Sequence, residues 1–231
     1  MQGHGKIGRW TRPVILGFLA LFVSVSAGFS TAAATPSETE AAICAQATAA
    51  TEVDQSLPTL ILGAIFLAET GRWDAARKAS YAWPWTVTSG DDARCLATKA
   101  EVIAVVEDMQ TQGVTNIDVG CMQINLGYHP DAFTSLDQAF DPMANAAYAG
   151  TFLRQLQDTH RSWSRTIATY HSSTRKFGLP YLKRVQHLWM TERRHVNELE
   201  RDKRMETYEE QKAALAQIVS SVVKVEVLPA N

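Results

Sequence analysis

Apolar residues recur at intervals of three and four through much of the chain, which predicts helices. One such pattern begins near Glu40 and runs through Cys44 and Ala49. The next is the most apolar: Leu60, Ile61, Ala64, Ile65 and Ala68 fall at helical spacing, Ser56 is a candidate cap, and Pro58 is tolerated in the first turn. Gly71 marks its end, so Glu69 lies in the last turn of a greasy helix. Residues 71–97 carry no period; Pro84 interrupts an aromatic cluster, and Ser89-Gly90-Asp91-Asp92 signals a turn. Thr98-Lys99-Ala100-Glu101 reads as a capping box that opens a helix through Ile103, Val106 and Met109, stopping at Gly113. Asn116 to Asn125 predicts a short strand and turn. Asp141-Pro142 starts a helix carrying Ala146, Phe152, Leu153 and Leu156, and Ser162 or Ser164 starts another through Ile167 and Tyr170. Gly178 and Pro180 precede a last core-like helix with Tyr181, Leu182, Val185 and Leu188. The expected class is mainly α, of the α+β kind: a helical bundle around a cleft, with a short β-hairpin region.

The pattern breaks at both ends. Lys6, Arg9 and Arg12 precede an apolar run from Val14 to about Phe29, and Ala32 with Ala34 fits a small-residue cleavage site; Val25-Ser26-Ala27 is a second candidate. Residues 1–34 are therefore expected to be a signal peptide and the remainder periplasmic, with no stable membrane insertion after cleavage. Thr35 to Glu40 reads as a linker. Beyond Met190, charges of both signs dominate from Thr191 to Lys212, before an apolar finish from Ile218 to Leu228. Such a segment can be helical through charge pairs but lacks a broad apolar face. Residues 191–231 are expected to be a charged, flexible tail that docks on a partner, with a helix folded onto the domain as the alternative. The body is one domain, residues 35–190.

Composition adds constraints. The 231 residues are 46% hydrophobic and 20% charged, with a formal net charge of −2, which gives no support for a nucleic-acid partner. Three cysteines, Cys44, Cys95 and Cys121, permit one disulfide and one free thiol in an oxidising compartment; sequence alone leaves the pairing open. No Cys-x-x-Cys motif or Cys/His cluster suggests a metal.

Four groups could carry chemistry. Glu69, if buried, would have a raised pKa suited to a general acid near neutrality; a surface carboxylate is the plainer reading. In Gly120-Cys121-Met122-Gln123-Ile124-Asn125, Gly120 allows a close backbone approach, and Gln123 and Asn125 alternate with apolar neighbours. Amides on one strand face suit sugar hydroxyl and acetamido groups, because each both donates and accepts. In Ala168-Thr169-Tyr170-His171-Ser172-Ser173, Tyr170 and His171 could orient a carboxylate. Trp73, Tyr81, Trp83 and Trp85 could stack on sugars, though each ring taken alone is better explained as core.

Together, Ala68-Glu69-Thr70-Gly71, Gly120-Cys121-Met122-Gln123-Ile124-Asn125 and Ala168-Thr169-Tyr170-His171-Ser172 resemble the soluble lytic transglycosylase (SLT) domain family, whose fold is goose-lysozyme-like. The resemblance covers about residues 40–190. The family pattern is Glu-Ser, then Gly-Leu-Met-Gln, then Ala-Tyr-Asn-Ala-Gly. Here Thr70 replaces Ser, Cys121 replaces Leu, His171 replaces Asn, and Ser172-Ser173 replace Ala-Gly. Tyr81-Ala82-Trp83-Pro84-Trp85-Thr86-Val87 and Asp118-Val119-Gly120-Cys121 are similar to a branch found in flagellar and secretion-system enzymes.

The resemblance implies a peptidoglycan lytic transglycosylase without metal or cofactor. Glu69 would protonate the oxygen between MurNAc and GlcNAc, the MurNAc acetamido group would stabilise the positive charge, and Glu69 would then take the proton from the C6 hydroxyl as a 1,6-anhydro ring closes. Thr70, Met122, Gln123, Asn125, Tyr170 and His171 would contact substrate, with Met122 lining the cleft. Asp118 is implied to be structural, because the family works with one carboxylate; a lysozyme-type hydrolase using Glu69 and Asp118 is the alternative. A wall-binding assembly module with incidental catalysis is a third reading. The implied disulfide joins Cys44 to Cys121, with Cys95–Cys121 as the other option. The partner implied is peptidoglycan glycan strands; the resemblance says nothing about residues 191–231, whose own composition suggests docking on a flagellar rod or rod-scaffold protein or a secretion-system component.

Overall fold

The computed structural model describes residues 38–74 and 79–226; the expected signal peptide lies outside them. Among the described residues, seven helices and six short strands follow in the order α1 (Glu38–Asp54), α2 (Ile61–Thr70), β1 (Arg72–Asp74), β2 (Ala79–Tyr81), β3 (Thr86–Ser89), β4 (Asp92–Cys95), α3 (Lys99–Thr111), β5 (Asp118–Val119), β6 (Ile124–Asn125), α4 (Leu136–Ala139), α5 (Pro142–His160), α6 (Trp163–His171) and α7 (Arg175–Glu226). The described chain is mainly helical, with one four-stranded antiparallel sheet in the order β4-β3-β5-β6 and a separate β1–β2 pair. No helix among the described residues is long and apolar enough to cross a membrane.

Helix α2 organises the larger core. Ile61, Leu62, Ala64, Ile65, Phe66, Leu67, Ala68 and Thr70 are all buried, so the helix is apolar around most of its circumference and packs among α1, α5 and α7. A helix buried in this way cannot leave its first N–H groups to water. Ser56, the expected cap, sits instead in a left-handed turn (φ 51°), and the cap position falls to Leu60, which has no side chain to offer. Glu52 of α1 replaces it: its Oε2 accepts from Leu60 N at 2.6 Å, and its Oε1 accepts from Leu62 N at 2.7 Å and Gly63 N at 3.1 Å. A carboxylate at a helix N-terminus also complements the macrodipole.

A second core fills the space between the sheet and α3, from Val87, Val102, Val106, Met109, Ile117, Val119, Ala139 and Phe140. The predicted capping box is formed: Thr98 accepts from Glu101 N at 3.2 Å, and Glu101 accepts from Thr98 N at 3.0 Å. Asp141 caps α5 as its sequence suggests, accepting from Ala144 N at 2.8 Å with Pro142 behind it.

Three expectations are corrected. The region 71–97 is not irregular but supplies β1 to β4; the turn at Gly90 (φ 61°) joins β3 to β4. The strands are three or four residues long, too short for alternation to register. The linker to Glu40 is shorter, since α1 starts at Glu38. Pro180 lies inside α7, which starts at Arg175; as the sixth residue it has no N–H to donate to the carbonyl four residues back, so the helix forgoes one bond there. Residues 191–226 continue α7 as helix, as their charge spacing allows, and residues 197–220 are exposed without exception. Charge pairs at helical spacing support it, including Arg204–Glu200 at 3.8 Å and Lys212–Glu209 at 3.3 Å.

Candidate active site

Glu69 projects from the last turn of α2 and is half-buried. Tyr181, in the second turn of α7, donates its hydroxyl to Glu69 Oε1 at 2.7 Å. Removal from water pushes the Glu69 carboxyl up to about 7. The Tyr181 hydrogen bond opposes that rise, the negative charge of Asp118 adds to it, and the positive charge of Arg184 opposes it. An apolar helix therefore supplies the low dielectric, and its neighbours trim the result to neutrality.

Tyr181 itself is 7% exposed, and its ring lies flat against His171, with centroids 4.5 Å apart and planes 6° from parallel. Burial first, then the Glu69 charge, holds the Tyr181 hydroxyl well above the ordinary phenol range, so it stays a donor. The same causes act on Tyr170. Burial lowers the His171 pKa, although Asp118 pulls the other way. Sequence reading placed Tyr181 in the core and missed its contact. The available signal was that a buried tyrosine needs a partner for its hydroxyl.

A turn between β5 and β6 forms the other side of the site. Cys121 is bonded to Cys44 of α1, the pairing implied by the resemblance, and Cys95 is a half-buried free thiol. Thr70 Oγ1 donates to Cys121 O and to Phe66 O, each at 3.3 Å. Tyr170 donates to Met122 O at 3.1 Å. Buried Asn145 of α5 accepts from Met122 N at 2.8 Å and donates to Val119 O and Ala139 O. Gly120 has φ 75°, and an added Cβ would stand 2.7 Å from Asn145 Nδ2, so the position requires glycine on both counts.

These bonds redistribute the roles of the expected substrate-binding residues. Met122 is fully buried and offers its backbone to Tyr170, so it does not line a cleft with its side chain. Thr70 is 7% exposed and ties α2 to the turn. Gln123 has a left-handed backbone (φ 49°) and lies in the turn, not on a strand face with Asn125. Its Oε1 accepts from Thr88 Oγ1 at 2.6 Å, while its Nε2 donates to Gly120 O at 3.0 Å and Thr86 O at 3.3 Å. The Asn125 amide donates to Asp118 Oδ1 at 2.8 Å and Asn116 Oδ1 at 2.7 Å, and its oxygen accepts from Gly127 N and Tyr128 N. Both amides are thus engaged in holding the loop. His171 is the exposed member of the set.

Asp118 is half-buried on β5. Burial raises its pKa, offset by the Asn125 hydrogen bond and the His171 charge. Trp83 is 4% exposed with its indole N–H donated to Leu96 O, and Trp85 packs on the second core, so neither presents a sugar platform. The side chains of Trp73 and Tyr81 lie outside the described residues.

The arrangement is a titratable carboxyl with a pKa near 7, a phenol fixing one of its oxygens, a second carboxyl within electrostatic reach, and a cross-linked turn holding them in place. Such a group can donate a proton and take one back at neutral pH. No protein-family model matches the chain, and neither a curated protein nor a solved structure matches it.

Proposed function

We propose that the protein is a peptidoglycan lytic transglycosylase with a lysozyme-like domain, cleaving the MurNAc-β-1,4-GlcNAc bond. The observation that carries this reading is the Glu69 carboxyl, raised to about 7 by its apolar helix and hydrogen-bonded by Tyr181. With Oε1 held by Tyr181, Oε2 is the oxygen that delivers the proton to the glycosidic oxygen. The substrate's acetamido group stabilises the positive charge at C1. The resulting carboxylate takes the C6 hydroxyl proton as that oxygen closes on C1. One group serves as acid and then base, which requires a pKa near the working pH. His171 is the exposed side chain beside this pair and the best placed to meet the sugar.

A second reading, a lysozyme-type hydrolase, is favoured by one observation: the Asp118 charge acts on Glu69. Two carboxylates can activate water on the opposite face of the sugar. Against it, Asp118 is bound by Asn125 within its own hairpin. Mass spectra of digested cell-wall sacculi separate the two. Anhydro-muropeptides support the transglycosylase; reducing ends alone refute it. A wall-binding module with incidental catalysis would keep its cellular role in Glu69→Gln, whereas the proposed enzyme loses it.

Export to the periplasm and local wall opening for a flagellar rod or secretion apparatus complete the proposal. They rest on the leader-like sequence, the SLT resemblance and the exposed extension of α7. Truncation at Met190 should leave catalysis and abolish localised wall opening; unchanged localisation would remove the docking role.

A further inference from the structure

Four of the large apolar residues exposed on the outer half of α7 fall on one line, while Leu199 and Ile218, also exposed, lie off it. Met205, Tyr208, Leu215 and Val219 are 54%, 57%, 63% and 60% exposed. With Lys212 among them, they recur at alternating intervals of three and four residues, the spacing of a two-stranded seam. Val222 falls at the next seam position, whereas Glu198 and Arg201 occupy the preceding ones and close the apolar stretch.

We propose that this face pairs with a second copy of the chain as a short parallel coiled coil. The flanking charges select that occupant and that orientation. Arg204 flanks the seam on one side and Glu209 on the other, five residues further on. In a parallel pair, Arg204 meets Glu209 of the partner subunit, and the twofold axis repeats the contact. An antiparallel pair brings like flanks together and loses both contacts.

Lys212 is compatible with the seam because of where its charge already points. Its ammonium is 3.3 Å from Glu209 and 6.0 Å from the Tyr208 ring centre, so the charge sits at the flank and the stem remains for packing. The seam is short, so association is reversible and concentration-dependent.

Sedimentation equilibrium on the chain starting at Thr35, which carries every described residue, tests this. The expected result is a monomer–dimer equilibrium that Leu215→Asp weakens at least tenfold. Arg204→Glu and Glu209→Arg should each weaken self-association by about tenfold, since each turns two attractive contacts into repulsive ones. Mixed together, the two variants should associate as strongly as wild type, because both contacts are again between opposite charges. All these positions are exposed, and far-UV circular dichroism verifies that the helix persists. A chain that stays monomeric at every concentration overturns the proposal, as does a dimer indifferent to Leu215→Asp or a charge-swapped mixture without rescue. A monomer that uses the seam only for a different protein overturns it too.

Discussion

Replacing Tyr181 by Phe removes one oxygen from the site and little else. The ring remains stacked on His171 at 4.5 Å and stays buried. What disappears is the 2.7 Å hydrogen bond to Glu69 Oε1, which favours the carboxylate. A hydrogen bond to a charged group contributes roughly 1.5–3 kcal/mol, and each 1.36 kcal/mol moves a pKa by one. The Glu69 carboxyl, near 7 in the wild type, should therefore rise by about one or more. In the proposed mechanism Glu69 must be protonated to act as the acid, so kcat/KM should fall on the alkaline side as it ionises. Tyr181→Phe should shift that alkaline limb upward, even where the maximal rate is reduced. Asp118→Asn should shift it downward, because the Asp118 charge favours the protonated form of Glu69. The assay is the pH dependence of kcat/KM on solubilised glycan strands. An alkaline limb that stays in place in Tyr181→Phe, or moves down, refutes the electrostatic account.

Glu69→Gln should abolish turnover, with a loss of at least 10²–10⁴-fold expected of a general acid–base group. The same substitution should stabilise the fold above neutrality. The folded pKa of about 7 exceeds the ordinary 4.5, so stability from this group is full below 4.5 and is lost as pH rises through 7. The gain in Glu69→Gln, seen as a higher Tm at pH 8 and little change at pH 4, is roughly 3 kcal/mol at most. Replacing Cys44 and Cys121 together by Ser opens a loop of 77 residues and should cost about 4 kcal/mol in denaturant titration. Gly120→Ala should cost about 2 kcal/mol or more, from its positive φ and the collision with Asn145, and a stability unchanged within error would contradict the described turn.

The elements legible in the sequence were those with a period or a cap. Helices α3 and α5 announce themselves through Thr98-Lys99-Ala100-Glu101 and Asp141-Pro142, because capping is local chemistry. Strands β1 to β4 were not legible, since short strands are fixed by pairing with residues far along the chain. The cap of α2 was misplaced at Ser56 for the same reason: Glu52 reaches it from the preceding helix. At the site, a carboxyl in a greasy helix drew notice to Glu69, but it was the motif resemblance that singled it out over the plainer reading as a surface carboxylate. Tyr181 could be marked only as a core tyrosine whose hydroxyl needs a partner; with the two residues 112 positions apart, nothing local named Glu69 as that partner. Gln123 and Asn125 looked free to bind a ligand because their neighbours alternate in polarity. Their hydrogen bonds instead close on Thr88, Gly120, Asp118 and Asn116, which only the folded chain brings into reach.

Digestion of purified sacculi in heavy-oxygen water addresses the central proposal most directly. Closing the sugar on its own C6 oxygen consumes no water, so the new ends should be anhydro sugars without label, formed by wild type and absent with Glu69→Gln. Reducing ends carrying heavy oxygen, or cleavage that survives Glu69→Gln, would contradict the mechanism.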